Sequence, residues 1–343
     1  MKIIASTFLI PLILSSIFIV GSFNQEKFGE SSDNFLSSTG EGSVLFNICV
    51  SGDNRPANDS LGQPQTFLNL INYMKKCDPE LYFNTGDIIN GGSSDEVIAQ
   101  RQFTDYINAV KNLDCPVFVS CGNHDVANKT TRSLFESMVN KKAYEFAEKN
   151  GINIYFPVRN ALEGMPGLGL WFAVRDQEQE SYYYFKYGGL YFIILYAYQQ
   201  GKWGAIEGQQ LEWLKKILNI LKNEKVFIFI HPPVYSFLNP DCITDGSLHV
   251  AFSSKENQYD IRNIFSEFKV DAVFSGHEHM YHMEHHGGTT YVISGCSGAS
   301  PYASEEEGGF LHFVEIKIKE NTWIMSVRDI KNNLFYEEEI SFN

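Results

Sequence analysis

An α/β fold built on two stacked mixed sheets with helices outside is the class this sequence predicts. Three observations carry it. Five runs, at residues 44–50, 81–83, 117–119, 226–230 and 272–274, are too apolar to have a solvated face and read as buried parallel strands. Stretches with helical spacing separate the first three runs, giving a βαβαβ order whose parallel crossovers are right-handed. The last third of the chain turns to short alternating runs that suit further strands.

Taken in order, residues 1–22 hold a single Lys and an apolar stretch interrupted by Pro11, then Gly21-Ser22. That is the arrangement of a secretory signal peptide. Left uncleaved, the stretch is nearly long enough to anchor the chain in a membrane. Residues 23–43, rich in Ser, Gly, Asn and acids, read as a flexible linker, and 44–343 as one domain. Residues 63–76 carry Phe67, Leu68, Leu70, Ile71 and Met74 at helical spacing, and 94–113 do the same with Val97, Ile98, Phe103, Tyr106, Ile107 and Val110. A third helix is expected over 131–148. Residues 151–180, with Gly, Pro and no period, read as a surface excursion near the site.

A hairpin is expected next, from Tyr182 to Tyr187, through Gly188-Gly189, to Leu190 and onward. Its tyrosines read as a packed sheet face rather than a base-stacking platform. An amphipathic helix over 207–221, another near 258–268, and strands at 291–294, 310–318, 322–327 and 334–340 complete the chain.

At 343 residues and with a formal net charge of -14, the chain has ample core and no basic stripe, which argues against a nucleic acid polymer as partner. Six cysteines, none in CxxC spacing, make a thiolate zinc site improbable but allow disulfides in an oxidising compartment. Cys77 and Cys115, each shortly before an expected strand, are the pair this reading favours. Cys49 and Cys121 read as small core residues.

Each apolar run hands over to a block of donors. These are Ser51-Gly52-Asp53-Asn54-Arg55, Gly86-Asp87, Gly122-Asn123-His124-Asp125, His231-Pro232-Pro233 and Gly276-His277-Glu278-His279. Singly, each has an ordinary explanation as a turn, a cap or a loop. Together they would converge on one rim of the sheets, beyond the carboxyl ends of the strands. Carboxylate, amide and imidazole without thiolate suit two divalent metal ions, Mn, Fe, Zn or Co. Such a pair clamps both oxygens of an in-line displacement at phosphorus.

This set of blocks resembles the calcineurin-like metallophosphoesterase family, over about residues 44–297. Gly204, Gly208, Gln210 and Trp213-Leu214 are similar to the branch that includes purple acid phosphatases and cyclic-nucleotide phosphodiesterases. The resemblance implies a four-layer α/β/β/α sandwich. It implies that Asp87 bridges the metals, that Asp53 and His279 hold the first, and that Asn123, His231 and His277 hold the second. His124 would sit over the substrate phosphate as proton donor or charge stabiliser, with Asp125 orienting it. One position departs from the family pattern: where Asp-x-His is common, this chain has Asp53-Asn54-Arg55, and a guanidinium has no lone pair to offer a metal. Asn90 stands where purple acid phosphatases place a Tyr, so a phenolate site of that kind is not expected.

Arg55 has two readings: it grips a phosphate oxygen bidentately, or it pairs with a local carboxylate such as Asp59. Either way the first metal site should be the weaker. His282, His285 and His286 are expected to face solvent, and His249 has no companion donor. Trp171, Phe172 and Tyr235 either line a leaving-group pocket or pack loops, and selectivity is expected in 151–180 and 239–254. The expectation is an exported enzyme that hydrolyses a small-molecule phosphate mono- or diester through a metal-bound hydroxide. Cyclic nucleotides or glycerophosphodiesters are the alternative substrates. From another class, the chain is a metal-binding pseudoenzyme or surface receptor in which Arg55 has replaced a ligand. His124 and Asp125, which no metal requires, favour catalysis.

Overall fold

A computed structural model describes residues 42–157, 159–160, 173–174, 181–199, 201–241 and 250–343. The expected signal segment, nearly all of the linker, most of the 151–180 excursion with Trp171 and Phe172, and Cys242 and His249 lie outside the described residues.

Strands β1 (Phe46–Ser51), β2 (Leu81–Asn84) and β3 (Val117–Val119) pair in parallel, connected by helices α1 (Gln65–Lys76) and α2 (Glu96–Val110). Asp95 caps α2 by accepting the amides of Val97 and Ile98. The third helix is divided into α3 (Lys129–Leu134), a wider π turn at Phe135–Asn140, and α4 (Lys141–Lys149). It starts earlier than the apolar spacing indicates because Asn128 and Thr131 form a capping box.

Short strands β4 (Ile154–Tyr155), β5 (Arg159–Asn160) and β6 (Ala173–Val174) precede the hairpin β7 (Tyr183–Tyr187) and β8 (Leu190–Ile194). Then come α5 (Gly208–Ile220), β9 (Lys225–Phe229), α6 (Lys255–Glu267) and β10 (Ala272–Ser275). Strands β11 (Tyr281–His286), β12 (Thr289–Ser294), β13 (His312–Ile318), β14 (Thr322–Asp329) and β15 (Leu334–Ser341) finish the chain.

One sheet runs β15-β14-β13-β1-β2-β3 and the other β11-β12-β10-β9-β8-β7-β4. Both are mixed. Strand alternation explains the layers. Ile48, Val50, Leu81, Phe83, Phe227, Phe229 and Phe274 join one apolar cluster, whereas their neighbours Cys49, Tyr82, Ile228 and Val273 join another that includes Phe67, Leu70, Leu214 and Ile261 of the helices. Phe83 of one sheet stacks on Phe229 of the other at 4.0 Å and 7°, and Phe118 meets Phe185 at 4.4 Å. The two sheets are therefore joined by rings directly beneath the strand ends that carry the donors.

The favoured cysteine pair is not formed. Cys49, Cys77, Cys115, Cys121 and Cys296 are all free, and the Cys77 thiol turns to Cys49 and to the carbonyl of Tyr73, at 3.6 Å, instead of to Cys115. Cys77 follows the last turn of α1, and that helix packs on the face of β1 to which Cys49 belongs.

His312, fully buried on β13, lies against Ser294 and the carbonyl of Phe310, at 3.2 and 2.9 Å. Burial pushes its pKa down from 6.5 to about 4. Between those values the unfolded chain takes up a proton that the folded one refuses. Its contribution is intact above pH 6.5 and drains away as pH falls toward 4, by about 3 kcal/mol. Denaturant unfolding at pH 7.5 and pH 5 should show about 2 kcal/mol of this loss in the parent and a smaller one in His312→Gln. Equal losses would remove His312 from the account.

Candidate metal centre

The carboxyl ends of β1, β2, β3, β9 and β10 meet at one rim, and the chain makes the same manoeuvre at four of them. A glycine is followed at once by a donor: Gly52-Asp53, Gly86-Asp87, Gly122-Asn123 and Gly276-His277. Asp53, Asp87 and His277 have φ of 52°, 55° and 67°, left-handed backbone that costs an L residue on the order of 1 kcal/mol. Main-chain tethers hold them there. The Asp53 amide donates to the Gly86 carbonyl at 2.8 Å, the His277 amide to Asp53 Oδ2 at 2.9 Å, and the His124 amide to Asp87 Oδ1 at 2.9 Å. The glycines are set by close approach: a Cβ on Gly122 would lie 2.1 Å from Asp87 Oδ1, and one on Gly276 would lie 2.4 Å from Asp53 Oδ2.

Donor atoms of Asp53, Asp87 and His231 all lie within 4.8 Å of one another, and all three residues are buried. His231 gives its Nδ1 proton to the Thr85 carbonyl at 2.6 Å, so its Nε2 lone pair faces Asp87 Oδ1 at 3.6 Å. His279 is arranged likewise, Nδ1 on the Ser300 carbonyl at 2.8 Å and Nε2 facing Asp53 Oδ1 at 3.4 Å. His277 Nδ1 and Asn123 Oδ1 meet at 3.2 Å. These Nε2 atoms therefore stand against carboxylate oxygens at separations too long for good hydrogen bonds. Asp53 Oδ1 and His231 Nε2 are buried without a hydrogen-bond partner. Such orphaned acceptors are costly unless a cation sits among them, and oxygen plus imidazole suits a divalent metal.

The electrostatics agree. Burial holds the imidazoles of His277 and His279 at about 3 and about 4, so both stay neutral and able to ligate. Burial lifts the Asp53 carboxyl above its usual range, Asp87 adding to the lift. At Asp87 burial acts the same way, but the imidazoles of His231 and His124 outweigh it and hold the carboxyl below its ordinary value.

All six sequence-predicted ligands therefore lie in this cluster. The flanking assignments need correction. Asp125 does not orient the His124 ring. Fully buried, its carboxylate accepts the amides of Asp87 at 2.9 Å, Ile88 at 2.8 Å and Gly122 at 2.8 Å, so it holds two ligand loops together. His124 is oriented by the Asn90 carbonyl at Nδ1, and its Nε2 stands 3.9 Å from Asp87 Oδ2. Arg55 does not pair with Asp59, which instead accepts from Gly92 and Gln102. Its Nε is 3.9 Å from Asp87 Oδ2, inside the centre.

Tyr235 stacks on His286 at 4.1 Å and under the Arg262 guanidinium, a packing role rather than a pocket wall. Of the trailing histidines, His285 is exposed as expected, beside Thr290 and Glu338, and His286 is partly exposed and pairs with Glu284, whereas His282 packs against Phe237.

Sequence reasoning missed three contributors. Glu278, between two ligands, accepts the Ser236 hydroxyl and the amides of Phe237 and Leu238, and burial pushes its carboxyl up to about 6. The loop after β12 wraps the first block: Ser297 donates to the Gly52 carbonyl at 2.6 Å and Ala299 to that of Asp53 at 2.8 Å. Tyr302, at the end of that loop, stacks on His279 with ring centroids 3.8 Å apart. The sequence carried no signal for Tyr302: its place follows from β12 running parallel to β10 and ending at the same rim.

Comparison with known proteins agrees with this geometry. A probable glycerophosphodiester phosphodiesterase of Arcobacter nitrofigilis is 30% identical over 169 residues, which is 48% of this chain and 45% of that protein. The chain thus spans less than half of that relative. A dimetal phosphatase from Danio rerio superposes with a TM-score of 0.58 at 14% identity, covering 88% of this chain and 100% of the other. Purple acid phosphatase PPD1 of yellow lupin (Lupinus luteus) gives 0.58 at 15% identity, over 87% of this chain and 54% of that one. GAP50, the anchor in the inner membrane complex of Plasmodium, gives 0.54 at 13%, over 87% and 89%. These structures share the fold. The calcineurin-like phosphoesterase profile matches residues 46–281, the span that contains all six expected ligands, and the chain belongs to that family.

Proposed function

We propose that this chain is a metal-dependent hydrolase of small phosphate esters. The observation that carries the reading is the set of buried carboxylate and imidazole atoms that face one another at the strand ends, two of them without a hydrogen-bond partner. Asp53, Asp87 and His279 would hold one divalent ion, and Asp87, Asn123, His231 and His277 a second. When bound, such ions supply Lewis-acid charge to the phosphoryl oxygens and acidify water at the site.

The chain's own groups do the rest. The Asn90 carbonyl takes the Nδ1 proton of His124, which leaves Nε2 as the atom that carries and releases a proton. Half-buried at the mouth, that nitrogen is in place to protonate the leaving oxygen. Asp125 keeps the second and third ligand loops in register. The 30% identity to a probable glycerophosphodiester phosphodiesterase supports a diester among the substrates. Action outside the cytoplasm is part of the same proposal, supported by the apolar N-terminal stretch.

The test is hydrolysis of aryl phosphate mono- and diesters by protein stripped with chelator and resupplied with Mn, Fe, Co, Zn or Mg singly. Turnover restored by metal supports the reading, and no turnover with any metal overturns it. His124→Ala should lower turnover by about 10²- to 10⁴-fold with metal content unchanged. Loss of the metal as well would make His124 structural.

A further inference from the structure

The Asp53 and His279 side of the centre ends in a guanidinium and a phenol. Arg55 Nε lies 3.9 Å from Asp87 Oδ2, and Nη2 lies 3.5 Å from the Tyr302 hydroxyl. The Tyr302 ring covers the His279 imidazole at 13° from parallel, and its amide donates to the His279 carbonyl at 3.0 Å. The Arg55 side chain is 19% exposed and Tyr302 42%, so the pair runs from the buried carboxylates out to the mouth.

Two consequences follow from elementary chemistry. First, Arg55 Nε is buried and has no acceptor, since 3.9 Å is too long for a hydrogen bond. A charged donor left unmet in that way is costly, and an anionic oxygen entering from the mouth would relieve it. Second, a guanidinium is permanently cationic and offers no lone pair, so it repels a divalent ion beside it and cannot complete that ion's shell. The other side of Asp87 has no guanidinium among its donors: His231 and His277 are imidazoles, which have a lone pair to offer, and Asn123 is an amide.

We propose that Arg55 and Tyr302 form a clamp for a phosphoryl oxygen, and that the guanidinium takes over charge that an ion on the Asp53/His279 side would otherwise supply. The centre then holds one ion firmly, between Asp87, Asn123, His231 and His277, and a second weakly. This deepens the phosphoesterase reading and rests on it.

The experiment has a metal arm and an anion arm, neither of which reads turnover. Chelator-stripped protein is titrated with Mn²⁺, then gel-filtered and its metal content measured. The parent should retain one equivalent and take a second only at concentrations higher by about tenfold or more. Arg55→His, which restores a ligand, should bring the two affinities together. In the anion arm, calorimetry follows inorganic phosphate binding to the one-ion form. Arg55→Ala should weaken it by about tenfold or more, Tyr302→Phe by a few-fold, and Arg55→Lys should recover only part, because an ammonium lacks the planar fork.

Two equally tight ions in the parent, or unchanged phosphate affinity in Arg55→Ala, would overturn the clamp. Tyr302→Phe keeps the ring on His279 and so tests the hydroxyl even where an Arg55 variant fails to fold. Should metal and phosphate titrate as stated while the parent hydrolyses neither a monoester nor a diester, the clamp survives and the enzymatic reading falls.

Discussion

Asp87→Ala is expected to empty the metal centre and lower phosphate-ester hydrolysis by about 10⁴-fold or more. No other side chain touches as much of the site. Its two oxygens face His231 at 3.6 Å, Arg55 at 3.9 Å and His124 at 3.9 Å, and one also fixes the His124 amide at 2.9 Å. A stability readout separates metal binding from folding: without metal, the neighbours that hold the Asp87 carboxyl below its ordinary value make it a net contributor, and it alone accepts the His124 amide, so the metal-free variant is expected to be less stable than the metal-free parent. Added metal should then raise the melting temperature of the parent and leave the variant unmoved, because an ion stabilises only the state that binds it. A variant that kept its metal would end the bridging assignment.

Phe83→Ala is expected to destabilise the fold by about 3–5 kcal/mol, the range for removing a fully enclosed aromatic ring. Phe83 stacks on Phe229 at 4.0 Å, Phe192 at 5.0 Å and Phe185 at 6.2 Å, all from the opposite sheet, and on Phe118 of its own sheet at 5.6 Å. The cavity would open between the sheets, on the strand that leads into Asp87. Metal affinity should fall together with stability. Phe83→Leu, which keeps most of the volume, should cost about 1.5 kcal/mol or less. Urea denaturation of both variants checks the pair, and a loss below about 1 kcal/mol for Phe83→Ala would mean that the rings are not what joins the sheets.

The sheets and the ligand set were legible for one reason. Buried parallel strands must be apolar and must release the chain at a common rim, so a donor placed directly after each apolar run has its destination written beside it. Asp125 was misread because adjacency in sequence suggested a partnership with His124. The left-handed turn at Asp87 instead presents two amides, those of Asp87 and Ile88, and the next loop a third, that of Gly122; one buried carboxylate answers all three. Tyr302 carries no motif at all. Its place depends on β12 lying parallel to β10, a pairing that local pattern does not encode. The division between α3 and α4 escaped for a similar reason, since apolar spacing continues across a π turn. Arg55 was flagged as a departure, yet only the folded geometry separated Asp87 from Asp59 as its neighbour.

The left-handed turns at Asp53, Asp87 and His277 bear on how the protein meets its ions. Their directions are cast by main-chain bonds from one loop to the next, so the socket is moulded before any metal arrives. Loading is then a matter of filling a finished shape, and an ion can leave and be replaced while the scaffold stays standing.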